Sequence, residues 1–154
     1  MPFSIEDPEV LREIIIDNYK YPRNKEEVSD PSYITIHMDS ASCIDDIYLQ
    51  FKIDEASKKI IDCKWHGTGC AISSASTSIM SELIKGHTIE EAKSMMAQFN
   101  KMLEGKEFDE DVLGEAICFA TVNRQPSRIT CANISWRGLE RALSEEEKHE
   151  HEGK

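Results

Sequence analysis

The pair Cys43 and Asp45 is the first place where residue types and spacing suggest metal chemistry. The residues just before the pair, Ser40 to Ser42, are small and favour a turn between two strands. Alternate residues of an extended segment project to the same side, so the sulfur and the carboxylate could reach one metal ion. A loop cysteine placed by chance gives the same short pattern, and the pair alone does not decide between these alternatives.

Cys70 lies where the chain is predicted to pass from a strand into a helix. Gly67 and Gly69 allow a tight turn there, because glycine adopts backbone conformations that other residues avoid. The thiol would then lie at a helix N-terminus, where the helix dipole and free N–H groups stabilise thiolate over thiol. The alternative is a buried cysteine on a helix that packs against a sheet.

Cys131 follows Arg128 by three residues, which places the two side chains about one turn apart on the predicted last helix. The guanidinium could stabilise a thiolate or a bound sulfur anion, and a core contact of Cys131 is the alternative. The remaining cysteines are predicted to fill the core. Cys63 alternates in phase with Ile61 on a strand, and Cys118 lies in an apolar run.

The three candidate thiols are distant in sequence, but each is predicted near the end of an element. Such ends can meet at one rim of a layered domain while the middles of the elements fill the core. Three thiolates and one carboxylate make a four-coordinate tetrahedral donor set that suits zinc. The H-x-E…P-C-x-x-C pattern of zinc deaminases and the H-E-x-x-H pattern of zinc proteases are absent from the sequence.

The elements that must position these residues are predicted as strands followed by helices. A first helix begins after Asp7, with Pro8 in its first turn, and ends at Tyr21. β-Rich or alternating runs predict three strands, of which the last two are joined by a hairpin turn at 54–57. The predicted strands are 33–38, 46–53 and 59–66, and the later helices are 70–85, 88–103, 108–122 and 127–143.

This order predicts an α+β fold with a small antiparallel sheet of about three strands and helices packed on one face. We expect a single domain at 1–143, because a chain of 154 residues fits one hydrophobic core. Residues 144–154 are highly charged and are predicted to form a disordered tail.

The net charge of -11 at pH 7 argues against nucleic acid and membrane as partners, since both surfaces are negative. A basic protein surface is a better complement. The sequence has no long apolar run, and its first residues lack the basic and apolar regions of a signal peptide. We therefore expect a cytoplasmic protein with reduced thiols, and the odd number of cysteines agrees with that expectation.

The motif around the second thiol resembles a known family. The block Gly67-x-Gly69-Cys70-Ala71-Ile72-Ser73, with Cys43-x-Asp45 upstream and Arg128-x-x-Cys131 downstream, is similar to the U-type proteins of iron–sulfur cluster assembly, the IscU/NifU N-terminal superfamily. The resemblance runs from about Val10 to Leu143. It implies a SufE/NifU-like fold and a function in iron–sulfur cluster biogenesis.

Within that family the chain resembles the SufU-like branch more than the scaffold branch. The scaffold branch carries His immediately before its third cysteine, where this chain has Thr130, and a Leu-Pro-Pro-Val-Lys motif that is absent here. The SufU-like branch has a longer segment between its second and third cysteines, and an Arg at the position of Arg128.

The resemblance implies that Cys43, Asp45, Cys70 and Cys131 bind zinc. Cys43 would accept persulfide sulfur from a SufS-type cysteine desulfurase, a histidine of which takes a zinc position in that branch, and Arg128 would stabilise the thiolate or the sulfur. The chain would then be a zinc-dependent sulfurtransferase serving a downstream Suf scaffold or apo-proteins. The alternative is a scaffold that assembles a [2Fe–2S] cluster from iron, and a structural zinc module is a third reading.

Two residues depart from the family pattern near the expected site. Ile44 stands where a glycine is usual, which restricts the loop and adds apolar bulk beside the thiol. Thr130 stands where this branch commonly has Lys, which removes one positive charge. Neither departure removes a ligand, and the first is expected to slow ligand exchange or to shield the site.

Overall fold

The computed structural model describes residues 7–40 and 44–152, and within them one antiparallel sheet has the strand order β1-β2-β3. Helices α2 and α5 pack against this sheet, so the predicted α+β architecture is confirmed. The strands are β1 (Ile34–Asp39), β2 (Asp46–Asp54) and β3 (Lys59–Thr68), and the helices are α1 (Pro8–Lys20), α2 (Ala71–Leu83), α3 (Ile89–Leu103), α4 (Glu110–Leu113) and α5 (Pro126–Glu152).

The first and third helices begin as their sequences predict. The Asp7 carboxylate accepts hydrogen bonds from the N–H groups of Glu9 at 3.2 Å and Val10 at 3.4 Å, which caps α1. In α3 the Thr88 hydroxyl accepts from the Glu91 N–H, and the Glu91 carboxylate accepts from the Thr88 N–H. This reciprocal capping box satisfies two backbone donors that the helix leaves free.

The sheet buries one face through the alternation of β2, where Ile47, Leu49 and Phe51 are fully buried. The prediction that Ile61 faces the core with Cys63 is wrong, because the β2–β3 register shifts between Lys52 and Ile53. Beyond this irregularity Ile60 is buried, and Ile61 is 49% exposed.

The helix predicted at 108–122 is wrong in most of its length. Only α4 forms there, and it is followed by 3₁₀ turns at Gly114–Phe119 and Val122–Arg124. Gly114 adopts φ 49° and ψ -128°, a conformation outside the helical region that interrupts the i to i+4 hydrogen bonds.

The last helix continues beyond the predicted end at Leu143 and reaches Glu152. An ion pair between Glu147 and Lys93 of α3 holds its later turns, in which Glu146 is also buried. Gly138 brings α5 close to the sheet, since a Cβ there would lie 2.3 Å from a methyl carbon of Leu49. The assignment of one domain to 1–143 remains a prediction.

Helices α2 and α5 are joined by a buried polar contact that sets their relative position. The Ser76 hydroxyl donates to the Ala132 carbonyl at 2.6 Å and accepts from the Trp136 indole N–H at 3.2 Å. Thr77 and Ser135 share a further hydroxyl hydrogen bond. The serine-rich stretch of α2 therefore permits close helix packing, and it satisfies the buried polar groups involved.

Among the described residues, no helix combines the length and apolar character that crossing a membrane requires.

Candidate metal centre

Asp45, Cys70 and Cys131 converge at one end of the sheet, with one ligand atom from each lying within 4.8 Å of the others. Asp45 ends the connection from β1 to β2, Cys70 immediately precedes α2, and Cys131 lies in the second turn of α5. The expectation that ends of distant elements meet at one rim therefore holds for these three residues. Their role as metal ligands remains a prediction.

The Asp45 carboxylate is held in place by two hydrogen bonds to Oδ1. The Cys70 N–H donates to it at 3.0 Å and the Ser73 hydroxyl donates at 2.6 Å. The residue is 2% exposed, so these donors compensate part of the free energy required to remove a carboxylate from water. The Ser40 N–H donates to the Asp45 carbonyl at 3.1 Å, which ties together the two ends of the β1–β2 connection.

Cys70 is the N-cap residue of α2, as its position after the glycines predicts. Its backbone is extended, with φ -70° and ψ 172°, and its sulfur accepts a hydrogen bond from the Ser73 N–H at 3.4 Å. An N–H group of the first helical turn therefore points at the sulfur and orients it.

Close contacts require both glycines before Cys70, and backbone conformation is a second reason at Gly67. Gly67 has φ 116°, and a Cβ there would lie 2.2 Å from the Asp46 carbonyl oxygen. A Cβ at Gly69 would lie 2.6 Å from the Ser73 hydroxyl and 3.3 Å from Asp45 Oδ1. Any side chain at Gly69 would therefore displace the groups that position the carboxylate.

Cys131 is half-buried and does not lie at the N-terminus of its helix. Helix α5 begins at Pro126, which puts Cys131 beyond the first turn. Because the influence of a helix terminus falls off within that turn, the dipole contributes little to this thiol. What brings Cys131 to the site is instead the packing of α5 on α2.

The donor set fits zinc in chemistry and in spacing. Sulfur and carboxylate oxygen bind zinc at about 2.0–2.3 Å, so neighbouring atoms of a tetrahedral site lie roughly 3.5 Å apart. The separations in the structure, all within 4.8 Å, can close to that value through side-chain rotation. The described residues supply three donors, and structural zinc sites use four.

The fourth expected ligand and sulfur acceptor, Cys43, lies outside the described residues, and its role stays a prediction. The two cysteines assigned to the core are buried there, as expected. Burial raises the pKa of the Cys63 thiol well above its usual value, and burial likewise raises the pKa of Cys118. Neither thiol is suited to metal binding or nucleophilic chemistry.

A cavity of about 660 Å³ opens beside Cys70 and Cys131. Its wall includes two arginines from different helices, Arg12 of α1 and Arg128 of α5. Arg128, which the sequence analysis named as a candidate, therefore lines the same cavity as the two thiols, and Arg12 is an addition from the structure. The other lining residues are Ile15, Ala71, Ile72, Ser127 and Thr130. Although the protein has a net charge of -11, the two guanidinium groups make this cavity locally favourable for a sulfur anion.

Ser73 is the residue of the site that the sequence did not reveal. Its hydroxyl donates to Asp45 Oδ1, and its backbone N–H donates to the Cys70 sulfur. Both contacts orient the groups that would hold a metal ion, as residues behind metal ligands commonly do. By residue type alone, Ser73 cannot be distinguished from the packing serines that follow it.

We expect Ser73→Ala to weaken zinc binding by about 10- to 100-fold, the effect typical of losing a group that orients a ligand. Competition with a chromophoric zinc chelator would measure the affinity. Ser74→Ala is the matched control, because Ser74 is the adjacent buried serine and has no hydrogen bond to Asp45. Equal affinities for the two variants would contradict the role of the Ser73 hydroxyl.

Comparison with known proteins agrees with this fold. The family model described as "NifU-like N terminal domain" matches residues 11–145. The chain is 40% identical over 148 residues to the zinc-dependent sulfurtransferase SufU of Bacillus subtilis (strain 168), covering 96% of this chain and 98% of that protein. It is 32% identical over 139 residues to the iron-sulfur cluster assembly scaffold protein IscU of Streptococcus pyogenes serotype M1, covering 90% and 85%.

A solved structure has the same fold. It is titled a putative iron-sulfur cluster assembly scaffold protein for the SUF system from Fervidobacterium islandicum AW-1. The TM-score is 0.75 at 41% identity, and the alignment covers 85% of this chain and 94% of that one. The chain belongs to the NifU N-terminal domain family.

Proposed function

We propose that this protein works in iron–sulfur cluster assembly as a zinc-dependent sulfur acceptor. The observation that carries the proposal is the convergence of Asp45, Cys70 and Cys131, whose donor atoms lie within 4.8 Å of one another. Similarity over nearly the full chain to a protein named a zinc-dependent sulfurtransferase supports the same function.

Asp45, Cys70 and Cys131 would hold the zinc together with Cys43. When bound, zinc supplies a charge that keeps coordinated thiols deprotonated at neutral pH, and it does so without redox chemistry. The chain itself orients the ligands: the Cys70 N–H and the Ser73 hydroxyl fix the carboxylate, and the Ser73 N–H fixes the Cys70 sulfur.

Cys43 is proposed as the sulfur acceptor. It lies two residues before Asp45, a span of at most ~7 Å of chain, so the buried Asp45 tethers it to the site. Its thiolate attacks the terminal sulfur of a persulfide on the donor. A new S–S bond forms, the donor's S–S bond breaks, and the donor cysteine leaves as a thiolate, so no external oxidant is needed.

Arg12 and Arg128 line the cavity beside Cys70 and Cys131, where their guanidinium groups would stabilise the anionic persulfide product. Arg128 thereby takes the role inferred from its spacing, and Arg12 of α1 is proposed to share it.

The donor is proposed to be a cysteine desulfurase of the SufS type that uses pyridoxal phosphate. The recipients are a downstream Suf scaffold or apo-proteins, and the reaction takes place in the cytoplasm. The protein is a sulfurtransferase in the sense that it accepts and passes on persulfide sulfur.

Two measurements on one preparation test the proposal. Elemental analysis should find about one zinc per chain, the stoichiometry of a single four-ligand site. Alanine release by a SufS-type desulfurase with excess cysteine should rise when the zinc-loaded protein is added, and should rise much less with the protein stripped of zinc. A full zinc complement with no stimulation would reduce the function to a structural zinc module.

A cluster scaffold is the second candidate, because relatives named as scaffold proteins share this domain. Thiolates bind iron as well as zinc, so the same residues could hold a cluster. Anaerobic reconstitution with iron and sulfide separates the two functions. A stable, stoichiometric [2Fe–2S] chromophore that transfers to an apo-protein would favour the scaffold, and failure to form one would favour sulfur transfer.

Ile44 offers a contact for the desulfurase, since it precedes Asp45 and its side chain is 68% exposed. We expect Ile44→Asp to raise the desulfurase concentration needed for half-maximal stimulation by about tenfold, because a charge replaces buried apolar contact area. Zinc content should be unchanged.

Ile61→Asp is the matched control for this test, because Ile61 is also exposed but lies near the opposite end of the sheet. Equal effects of the two substitutions would show that general surface charge, and not a contact at the site, explains the result.

A further inference from the structure

A second cavity, of about 480 Å³, lies at the end of the sheet opposite the metal centre. It forms where the start of β1, the end of β2 and the later turns of α5 meet, and it is lined by Ser32, Ile34, Ile53, Glu55, Glu145, Glu146 and Lys148. Glu146 lies fifteen positions after Cys131, a distance of roughly 22 Å along α5. The cavity is therefore distinct from the site already described.

Glu146 is the unusual residue of this cavity. It is 7% exposed, and its Oε1 atom is buried with no hydrogen-bond partner among the described residues. Burying a carboxylate oxygen without a donor is unfavourable, and glutamate is almost never buried unless it is paired. The neighbouring Glu147 ion pair with Lys93 holds this turn of α5 in place, so Glu146 does not simply rotate into solvent with the helix.

The net negative charge of the residues that line the cavity favours a positively charged occupant. Three of its lining residues are glutamates and one is a lysine, in a protein of net charge -11. A chelated metal ion is not the best occupant, because the site around Asp45 is the one place in the described residues where three potential ligand atoms come within 4.8 Å. A single positively charged group that forms hydrogen bonds fits the separated carboxylates better.

The apolar part of the cavity wall favours one class of cation over the others. Ile34 and Ile53 line the cavity beside the glutamates, and both are partly buried against the core. Lysine and arginine side chains carry an alkyl stem that packs on apolar surface and a charged head that seeks a carboxylate. A hydrated inorganic cation would gain no favourable apolar contact with this wall.

We propose that this cavity binds a lysine or arginine side chain presented by a partner protein, with Glu146 Oε1 accepting a charge-assisted hydrogen bond from its head group. The surface would be a second docking point of the molecule. The inference does not depend on the metal centre or on the sulfur-transfer function.

Nitrogen-15 NMR of the zinc-loaded full chain would test the proposal, with N-acetyl-arginine amide as the probe. We expect saturable shifts at the cavity residues Ser32, Ile34, Ile53 and Glu55. N-acetyl-citrulline amide, which has nearly the same shape without the charge, should produce no saturable shifts at these residues. Equal binding of the two probes would overturn the proposal, as would magnesium or zinc ions binding at the same residues more tightly than the arginine probe.

Glu146→Gln should weaken binding of the arginine probe by about tenfold, because a charge-assisted hydrogen bond becomes a neutral one. Its thermal midpoint should equal or exceed that of the parent, since the substitution removes a buried charge without a partner. The exposed Glu145→Gln provides a second cavity variant if the first fails to fold, and Glu13→Gln, on the exposed side of α1, is the control for net charge. Unchanged affinity in both cavity variants would contradict the inference.

Discussion

Asp45→Ala should abolish stoichiometric zinc binding and lower the thermal midpoint of the protein as isolated. The substitution removes one proposed ligand and also leaves the Cys70 N–H and the Ser73 hydroxyl without their acceptor. A ligand that binds only the folded state stabilises it by about 4 kcal/mol when present at 1,000 times its dissociation constant, which corresponds to a midpoint change of roughly 10 °C for a chain of this size. Elemental analysis and differential scanning calorimetry would measure the two effects.

Asp46→Ala is the matched control for this prediction. Asp46 is the next residue, but its side chain is 56% exposed and pairs with His37 on the outer face of the sheet. The control should retain zinc and change the midpoint little. The parent protein stripped of zinc should melt at or slightly above the midpoint of Asp45→Ala. Full zinc retention by Asp45→Ala would remove Asp45 from the ligand set.

Cys43→Ser should eliminate sulfur acceptance. A serine hydroxyl is neither deprotonated at neutral pH nor able to form a persulfide, so we expect stimulation of the desulfurase to fall by at least about a hundredfold, as when a covalent nucleophile is lost. Mass spectrometry after incubation with desulfurase and cysteine should show one added sulfur on the parent protein and none on the variant.

Cys118→Ala separates this effect from general loss of a thiol. Cys118 is buried, and its pKa is raised by that burial, so its removal should leave sulfur acceptance intact. Persulfide found on Cys70 or Cys131 with full stimulation in Cys43→Ser would assign the acceptor role to another ligand. Loss of stimulation together with loss of zinc in Cys43→Ser would indicate a ligand role and leave the transfer role unsupported.

The sequence made the convergence of Asp45, Cys70 and Cys131 an expectation, but no local signal established it. The glycines that end a strand, the cysteine at the following helix start and the arginine one turn before the last thiol each left a structural alternative open, and the resemblance to the family joined the residues into one site. The capping residues of α1 and α3 were predictable, because caps depend on residues three or four positions apart.

The parts that could not be predicted depend on contacts between distant residues. The outward position of Ile61 results from a register irregularity in which Ile61 is the extra residue of β3, between the pairs Lys52–Asp62 and Ile53–Ile60, and strand periodicity alone does not reveal it. The extension of α5 beyond Leu143 depends on Lys93 of α3, and the role of Ser73 depends on a carboxylate 28 positions earlier. In each case residue type allowed several structures, and tertiary packing selected one.

Helix α5 packs closely on the sheet at Gly138, which lies about midway between Cys131 and Glu146. Because a helix is stiff, a tilt of α5 about this central contact would move its two ends in opposite directions by similar amounts. The tight contact of Gly138 with Leu49 therefore couples the position of Cys131 at one end of α5 to the position of Glu146 at the other.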